Sequence, residues 1–383
     1  MKIHLQYGRD GLDIYVPSDN ATVLRPHFVP GLADEHADFL RAVRAPIGTE
    51  PLAEKITATD RVAIVIADGT RALPSSRLLP WIFAELGHVP TENLTVIVGT
   101  GTHRPNTAEE IAEIVGAETA ARYRVINHNA YENSTMAEVR PAQDRSPPMW
   151  MNKWYVEADR RILVGFIEPH FMAGYSGGYK AAFPGVADLK SIMHYHRAEM
   201  IGHPRSTWGV LEGNPTQATI RRMGAALSVD FLLNVTLNHQ QEITRFFCGD
   251  PIAAHEIGCA FAKETAMAAC SKRYPLVITT NSGYPLDQNL YQSVKGMCAA
   301  AEIVADGGEI VTVARCNDGF PVHGNFAKML AKYGSAQAML DAIYAPGFIC
   351  WTSGRCRSWP RCCSERGFPS TANSPLNKHC RLI

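Results

Sequence analysis

Short apolar runs that end in polar loops set the fold of this chain. Residues 61–67, 93–99 and 160–165 are rich in Val, Ile and Leu, and each is too short for a buried helix. Helical patterns follow the first two runs, over 75–86 and 107–115. Because strands that alternate with helices favour a parallel sheet, the sequence predicts an α/β fold.

The later part of the chain continues the pattern. Two more predicted strands flank one predicted helix, over 276–280, 289–301 and 308–314. We place a domain boundary near residue 270, after an Ala-rich helix predicted over 252–270. The sequence therefore predicts two α/β domains, residues 1–270 and 271–348.

Composition narrows the classes of function. The 383 residues carry 37 basic and 37 acidic side chains, so no electrostatic footprint for nucleic acid or an acidic membrane is expected. No apolar run approaches the ~18 residues of a membrane span. The first residues lack the apolar core of a signal peptide, and we therefore expect a cytoplasmic protein with no membrane partner.

Polar side chains follow three of the predicted strands. Asp68 and Arg71 come after the first, His103 after the second, and Glu168 with His170 after the third. A histidine in a loop is more often a surface residue than a catalytic one. Ligands of open α/β sheets, however, bind at the carboxyl ends of the strands, and this shared edge favours a functional site.

Lys180 and three histidines, His170, His194 and His196, fall within about thirty residues, around a stretch rich in Gly and Pro. Lys180 lies between Gly177-Gly178 and Phe183-Pro184-Gly185, where an amine could be held against a ligand and activated by desolvation. An exposed lysine is the alternative. The pattern is typical of a covalently held or metal-bearing cofactor. Backbone amides around Gly177 could form an anion nest, although the Rossmann spacing is absent.

Taken together, the motifs resemble the nickel-pincer lactate racemase family of 2-hydroxyacid racemases and epimerases. The resemblance extends over about residues 1–348. It rests on several motifs that match in order and spacing: Asp68-Gly-Thr-Arg71, Gly101-Thr-His103-Arg104, Glu168-Pro-His170, Ser176-Gly-Gly-Tyr-Lys180, His196, and the run from Tyr284 to Gly296.

The resemblance implies a nickel-pincer nucleotide, the pyridinium-3-thioamide-5-thiocarboxylic acid mononucleotide, bound covalently through Lys180. His196 would be the protein ligand of the nickel, with His194 as an alternative, and sulfur donors suit that metal. The residues implied to contact the cofactor are Asp68, Thr70, Ser176, Gly177 and Gly178. Partners would be a small 2-hydroxyacid and dedicated maturation enzymes, while the oligomeric state stays open.

The same resemblance implies the roles of the substrate-facing residues. His103 and His170 would take and return the hydroxyl proton on either side of the substrate, while a hydride moves between C2 and the cofactor. Arg71 would hold the carboxylate through two parallel hydrogen bonds. Three residues would close the active-site cleft from the second domain: Tyr291, Gln292 and Lys295. Tyr291 and Lys295 are four residues apart and would share a helix face, although such pairs are usually incidental.

Two other classes stay open from the sequence. An enzyme that forms a Schiff base through Lys180, with pyridoxal phosphate or directly with substrate, would also explain a lysine beside glycines. Such an enzyme would not need His103, His170 and His196 together. A cofactor-free binding or regulatory protein, or an inactive homologue, is the third class. The side chain of the 2-hydroxyacid cannot be inferred from one sequence.

Residues 349–383 depart from the family and form an aberrant tail. Five of the ten cysteines lie there, at spacings that match no usual zinc motif: Cys350, Cys356, Cys362, Cys363 and Cys380. Codons for residues 350–369 can be chosen so that the shifted frame encodes Leu-Asp-Gln-Trp-Gln-Val-Gln-Val-Leu-Ala-Ala-Val-Leu-Leu-Arg-Ala-Arg-Val-Ser. This is an amphipathic helix that begins Asp-Gln-Trp-Gln, as the corresponding helix of the family does. We hypothesise a frameshift near residue 349; a divergent natural tail is the alternative.

Overall fold

The computed structural model describes residues 1–140, 148–319, 326–344 and 380–382. Its contacts divide the chain into two compact units. The large unit comprises His27–Tyr195 and Arg205–Met267, and the small unit comprises Met1–Pro26, His196–Pro204 and Ala268–Ile383.

The strands, in chain order, are β1 (Lys2–Leu5), β2 (Leu12–Tyr15), β3 (Val62–Ala67), β4 (Leu94–Gly99), β5 (Arg124–Asn127), β6 (Met136–Val139), β7 (Met149–Asn152), β8 (Arg160–Phe166), β9 (Pro169–His170), β10 (Gly174–Tyr175), β11 (Phe231–Leu237), β12 (Ile243–Gly249), β13 (Tyr274–Thr280), β14 (Val304–Val313) and β15 (Cys380–Leu382). The α-helices are α1 (Glu35–Arg44), α2 (Leu52–Lys55), α3 (Ser75–Glu85), α4 (Ala108–Val115), α5 (Ala117–Arg122), α6 (Lys153–Val156), α7 (Leu189–Tyr195), α8 (Ala198–Ile201), α9 (Pro215–Gly224), α10 (Ala253–Ala266), α11 (Leu290–Ala301), α12 (Phe326–Lys332) and α13 (Ala336–Tyr344).

A six-stranded sheet organises the large unit, in the order β12-β11-β8-β3-β4-β5. All neighbouring pairs are parallel except β11 with β12. Alternate residues of β3 face opposite sides: Ile64 belongs to one hydrophobic cluster and Val65 to another. Both faces of the sheet are therefore covered, as in other parallel sheets. The strands predicted over 61–67, 93–99 and 160–165 are confirmed.

The small unit contains a parallel sheet of β13, β14 and β15 and an antiparallel β1–β2 hairpin. On one face of the parallel sheet, Val277 and Ile310 pack with Ala300 of α11. On the other face, Leu276 is 50% exposed and Ile278 is 39% exposed. The strands and helix predicted within 276–314 are confirmed. One face of this sheet carries large apolar side chains in contact with solvent.

The two units divide the sequence differently from the predicted domains. The change at 267/268 lies close to the predicted boundary near residue 270, but residues 1–26 and 196–204 group with the small unit. Long-range hydrogen bonds explain part of this grouping, because the amide of Gly8 donates to Asp287 Oδ2 at 2.8 Å.

The predicted aberrant tail lies outside the described residues except for 380–382, which form β15 beside β14. Within the described ranges, no helix is long and apolar enough to cross a membrane.

Candidate functional site

Two neighbouring strands of the large sheet bring the first site loops together. Ala67 at the end of β3 pairs with Gly99 at the end of β4, so the loops that follow begin side by side. The amide of Gly101 donates to the carbonyl of Gly185 at 2.9 Å, which ties the second loop to the Lys180 stretch. The predicted shared edge of Asp68 and His103 is therefore present.

Asp68 and His103 form a close pair. Nδ1 of His103 lies 2.7 Å from Asp68 Oδ2. The side chain of Asp68 is 4% exposed and that of His103 is 16% exposed. Burial opposes ionisation of Asp68, but His103 and Arg71 more than offset it and hold the pKa of this carboxyl at about 2. Because an ionised carboxylate only accepts, it fixes the proton on Nδ1 and leaves Nε2 as the accepting nitrogen of a neutral His103 ring.

Thr70 and Arg71 complete this loop. The hydroxyl of Thr70 donates to Asp68 Oδ1 at 2.8 Å, and Nη1 of Arg71 donates to the hydroxyl oxygen of Thr70 at 2.8 Å. Arg71 is partly buried, and its charge acts on both Asp68 and Lys180. The arrangement holds a planar cation beside the Asp68–His103 pair, where an anionic substrate group can be bound.

His170 lies in a hairpin formed by β9 and β10, and its side chain is 7% exposed. Nδ1 of His170 accepts hydrogen bonds from the amides of Met172 and Ala173, each at 3.2 Å. A neutral ring that accepts at Nδ1 carries its proton on Nε2. The two predicted acid–base histidines are therefore held in opposite tautomers.

Lys180 lies in a 3₁₀ turn over Gly178–Ala181 and is partly buried. Burial is the main cause that lowers the pKa of Lys180 to about 7, with a further contribution from Arg71 and opposition from Glu168. At neutral pH a large fraction of the amine is uncharged, which is the nucleophilic form. The structure thus groups Lys180 with Arg71 and with Glu168, which directly precedes the His170 hairpin.

Two of the three amides of the predicted anion nest already donate hydrogen bonds to protein acceptors. The amide of Ser176 donates to the carbonyl of Glu168 at 2.9 Å, and that of Gly178 donates to Asn234 Oδ1 at 2.8 Å. The hydroxyl of Ser176 accepts from the amide of Glu168 at 3.0 Å and donates to the carbonyl of Phe166 at 3.0 Å. A phosphate at this loop would therefore compete with protein acceptors for two of the three amides.

Sequence reasoning missed Asn234, and it missed His255 of α10, whose Nε2 lies 2.9 Å from the carbonyl oxygen of Ser176. Each is 1% exposed. The signal in the sequence is faint: Asn234 lies in a mostly apolar strand, and His255 is one of several polar residues of α10.

The remaining predicted site residues belong to the small unit. His196 follows the end of α7 and is partly buried, whereas His194 is exposed. On α11, Tyr291 and Lys295 are partly buried. Gln292 is 1% exposed, and its amide donates to Asn289 Oδ1 at 3.0 Å to cap the helix.

A buried acid that sequence reasoning missed supports the loop before α11. Asp287 is 0% exposed, and its Oδ2 accepts from the amides of Gly8 at 2.8 Å and Arg315 at 3.0 Å. Among the described side chains, no group of three or more His, Cys, Asp and Glu residues could hold a metal ion.

Comparison with known proteins gives a consistent result. Models of the lactate racemase N-terminal domain and C-terminal domain match residues 7–209 and 270–347. A lactate racemase of Thermoanaerobacterium thermosaccharolyticum is 33% identical over 350 residues, which cover 90% of this chain and 81% of that protein. A lactate racemase of Lactiplantibacillus plantarum is 36% identical over 303 residues, covering 79% and 71%.

Solved structures agree with this result. The lactate racemase apoprotein from Thermoanaerobacterium thermosaccharolyticum superimposes with a TM-score of 0.82 at 29% identity, covering 100% of this chain and 87% of that chain. A protein from Thermotoga maritima shares the fold at 19% identity, with a TM-score of 0.57 over 68% of each chain. The predicted family and α/β fold class are confirmed.

Proposed function

The chain belongs to the lactate racemase family, and we propose that it interconverts the enantiomers of lactate or of a related 2-hydroxyacid. One observation supports the proposal most strongly: the Asp68–His103 pair lies close to Arg71 and to Lys180, whose pKa is lowered to about 7. Inverting C2 requires groups that accept and return the hydroxyl proton, and imidazoles do this at neutral pH.

His103 and His170 are the proposed acid–base pair. Nε2 of His103 accepts the hydroxyl proton of one enantiomer, and the imidazolium that forms is stabilised by the Asp68 carboxylate. On the other side of the substrate, Nε2 of His170 is the proton donor. The ring takes up a second proton from solvent before this transfer, so that the transfer leaves a neutral ring and not an imidazolate. Arg71 binds the substrate carboxylate through its guanidinium, which keeps C2 between the two rings.

Lys180 and His196 are the residues proposed to hold the nickel-pincer nucleotide. When bound, this group supplies a reversible acceptor for the C2 hydride. Lys180 fits a covalent role because an amine must be uncharged to form a bond, and burial lowers its pKa to about 7. His196 offers one imidazole to the metal, which suits a site whose other donors belong to the nucleotide. The residues proposed to contact this nucleotide are Asp68, Thr70, Ser176, Gly177 and Gly178.

Tyr291, Gln292 and Lys295 are proposed to bind the substrate from α11, the cationic Lys295 beside the carboxylate. Screening a panel of 2-hydroxyacids tests whether the substrate range extends beyond lactate. The proposal also includes maturation enzymes that load the cofactor and a cytoplasmic location.

Elemental analysis with intact mass separates this proposal from its alternatives. The chain is co-expressed with the maturation enzymes, beside a lactate racemase that loads in the same host. Nickel with a mass adduct that maps to Lys180 is the expected result. An adduct without metal would support the Schiff-base class instead. Neither adduct nor metal, in a host where the control loads, would favour a binding protein.

We further propose that residues 349–383 arise from a frameshift. The C-terminal family match ends at residue 347, just before the predicted shift. Parallel sheets are usually covered on both faces, so the exposed Leu276 and Ile278 support a missing apolar element. The shift is either natural or a sequencing error, and an undisturbed frame in an independent read of codons 345–352 would refute the sequencing error. If the tail is real, the chain should be less stable and turn over more slowly than a repaired chain; full activity from the present chain would contradict this expected impairment.

A further inference from the structure

The loop that presents Lys180 has a backbone that needs outside support. Gly177 and Gly178 have φ angles of +80° and +58°, in the left-handed region that L side chains rarely adopt. The 3₁₀ turn that begins at Gly178 is one short turn, which by itself is weakly stable. Contacts from other elements must therefore fix the direction in which Lys180 leaves the backbone.

Asn234 of β11 holds the loop through a hydrogen bond to its backbone. Its Oδ1 accepts from the amide of Gly178 at 2.8 Å, and its Nδ2 donates to the carbonyl of Leu233 at 3.0 Å. A Cβ on Gly177 would lie 2.6 Å from Oδ1, and one on Gly165 would lie 3.0 Å from Nδ2. The Asn234 amide thus fits closely between two glycines, and a different side chain would leave a buried amide of Gly178 without its acceptor.

His255 of α10 makes a second hydrogen bond to the backbone of this loop. The carbonyl of Ser176, 2.9 Å from Nε2, can only accept, so Nε2 carries the proton. Burial is the main cause that lowers the pKa of His255 to about 4, so the ring is neutral at pH 7. A Cβ on Gly178 would lie 2.9 Å from Cγ of His255, so the ring also fills the space that this glycine leaves. The Sγ of Cys259 lies 3.4 Å from the same Nε2.

We propose that Asn234 and His255 are positioning residues that hold Lys180 in its bonding pose before the cofactor arrives. Both bind the backbone of the residues that precede Lys180, and both come from elements distant in the sequence. Burying two polar side chains costs free energy unless they are hydrogen-bonded, and here one of each residue's bonds goes to this loop. The inference rests on the proposed role of Lys180.

Amine reactivity tests the proposal in the apoprotein, independently of racemisation. Cyanic acid reacts with the neutral amine. Site-resolved carbamylation of Lys180 between pH 5 and 9, measured by peptide mass spectrometry and with each rate divided by the cyanic acid concentration at that pH, therefore reports the neutral fraction. The wild-type midpoint should lie near the pKa of about 7. Asn234→Leu and His255→Leu release the loop, hydrate the amine and should raise the midpoint by about one pKa unit, which lowers the normalised rate at pH 6 about tenfold.

Two matched variants separate positioning from general packing. His255→Gln retains a neutral N–H donor close to the place of Nε2 and should restore the wild-type midpoint. Thr236→Val removes a buried hydrogen bond of the same strand, from Thr236 to Thr244 at 2.7 Å, without touching the loop, and should leave the midpoint unchanged. Folded Asn234→Leu and His255→Leu variants that keep the wild-type midpoint would overturn the proposal.

A second measurement needs no variant, in case the leucine variants do not fold. The ¹⁵N shifts of His255 in the wild-type protein should show the proton on Nε2 from pH 6 to 8, and a proton on Nδ1 would overturn the proposal. Because neither readout involves turnover, a failure here leaves the proposed racemase function standing. Conversely, a chain that never racemises lactate could still show both results.

Discussion

The loops after β4 and β8 each carry a histidine, but they hold it by different chemistry. His103 meets a buried carboxylate, Asp68 Oδ2, at 2.7 Å from Nδ1. His170 meets two backbone amides, each at 3.2 Å from Nδ1. Asp68 presents an acceptor to Nδ1 of His103, whereas the two amides present donors to Nδ1 of His170. In the neutral rings, Nε2 of His103 is therefore a hydrogen-bond acceptor and Nε2 of His170 a hydrogen-bond donor.

This difference has a measurable consequence for a racemase. The two enantiomers of a substrate have equal free energies in solution, so kcat/KM must be the same in both directions. Unequal histidines can therefore appear only as a difference in kcat between the two directions that is matched by an equal-fold difference in KM. The comparison predicts that kcat differs between the two enantiomers and that variants of one loop change that difference.

The largest expected effect comes from removal of either ring. His103→Ala and His170→Ala should each lower kcat by about 10²–10⁴ in both directions, because each ring accepts in one direction and donates in the other. Chiral chromatography from each enantiomer measures the rates. His27→Ala, at an exposed position to which no role is assigned, is the matched control. A wild-type rate from either variant, with cofactor loading confirmed by mass, would refute the paired roles.

Removal of the charge behind His103 should have a smaller effect. Asp68→Asn retains the shape but loses a charge-assisted hydrogen bond, so a loss of about ten- to hundredfold in kcat/KM is expected. The loss in kcat should be greater for the enantiomer whose proton goes to His103. Asp159→Asn, which removes an exposed ion pair with Arg61, is the control. Equal losses in kcat for both enantiomers would show that Asp68 does not act through His103.

The smallest expected effect is on acid stability. The folded pKa of Asp68 is lowered from 3.8 to about 2, so its stabilisation is present above pH 3.8 and is lost as the pH falls through 2. Over that window, the advantage of the wild type over Asp68→Asn in free energy of unfolding should shrink by about 2 kcal/mol. Urea unfolding between pH 2 and 5 measures it. Parallel curves for the two proteins would contradict the ionised, buried Asp68.

Local patterns in the sequence were enough to predict which loops meet at the sheet edge, but not the buried residues that hold the Lys180 loop in place. Apolar runs and polar loop starts located β3, β4 and β8 and the residues after them, because strand ends of a parallel sheet share one edge. Asn234 and His255 were missed because neither belongs to a motif, and their partners lie far away along the chain. The partners of the Ser176 and Gly178 amides likewise depend on contacts between distant elements, which spacing along the chain does not reveal.

Racemisation of lactate by the loaded protein tests the central claim most directly. The chain is purified with nickel and a Lys180 adduct confirmed by metal analysis and intact mass, and it is incubated separately with L-lactate and D-lactate. Chiral chromatography should show both reactions converging on equal amounts of the two enantiomers, with no conversion by a Lys180→Ala control. Unchanged lactate in both reactions, from protein shown to carry metal and adduct, would contradict the proposal that the chain is a lactate racemase.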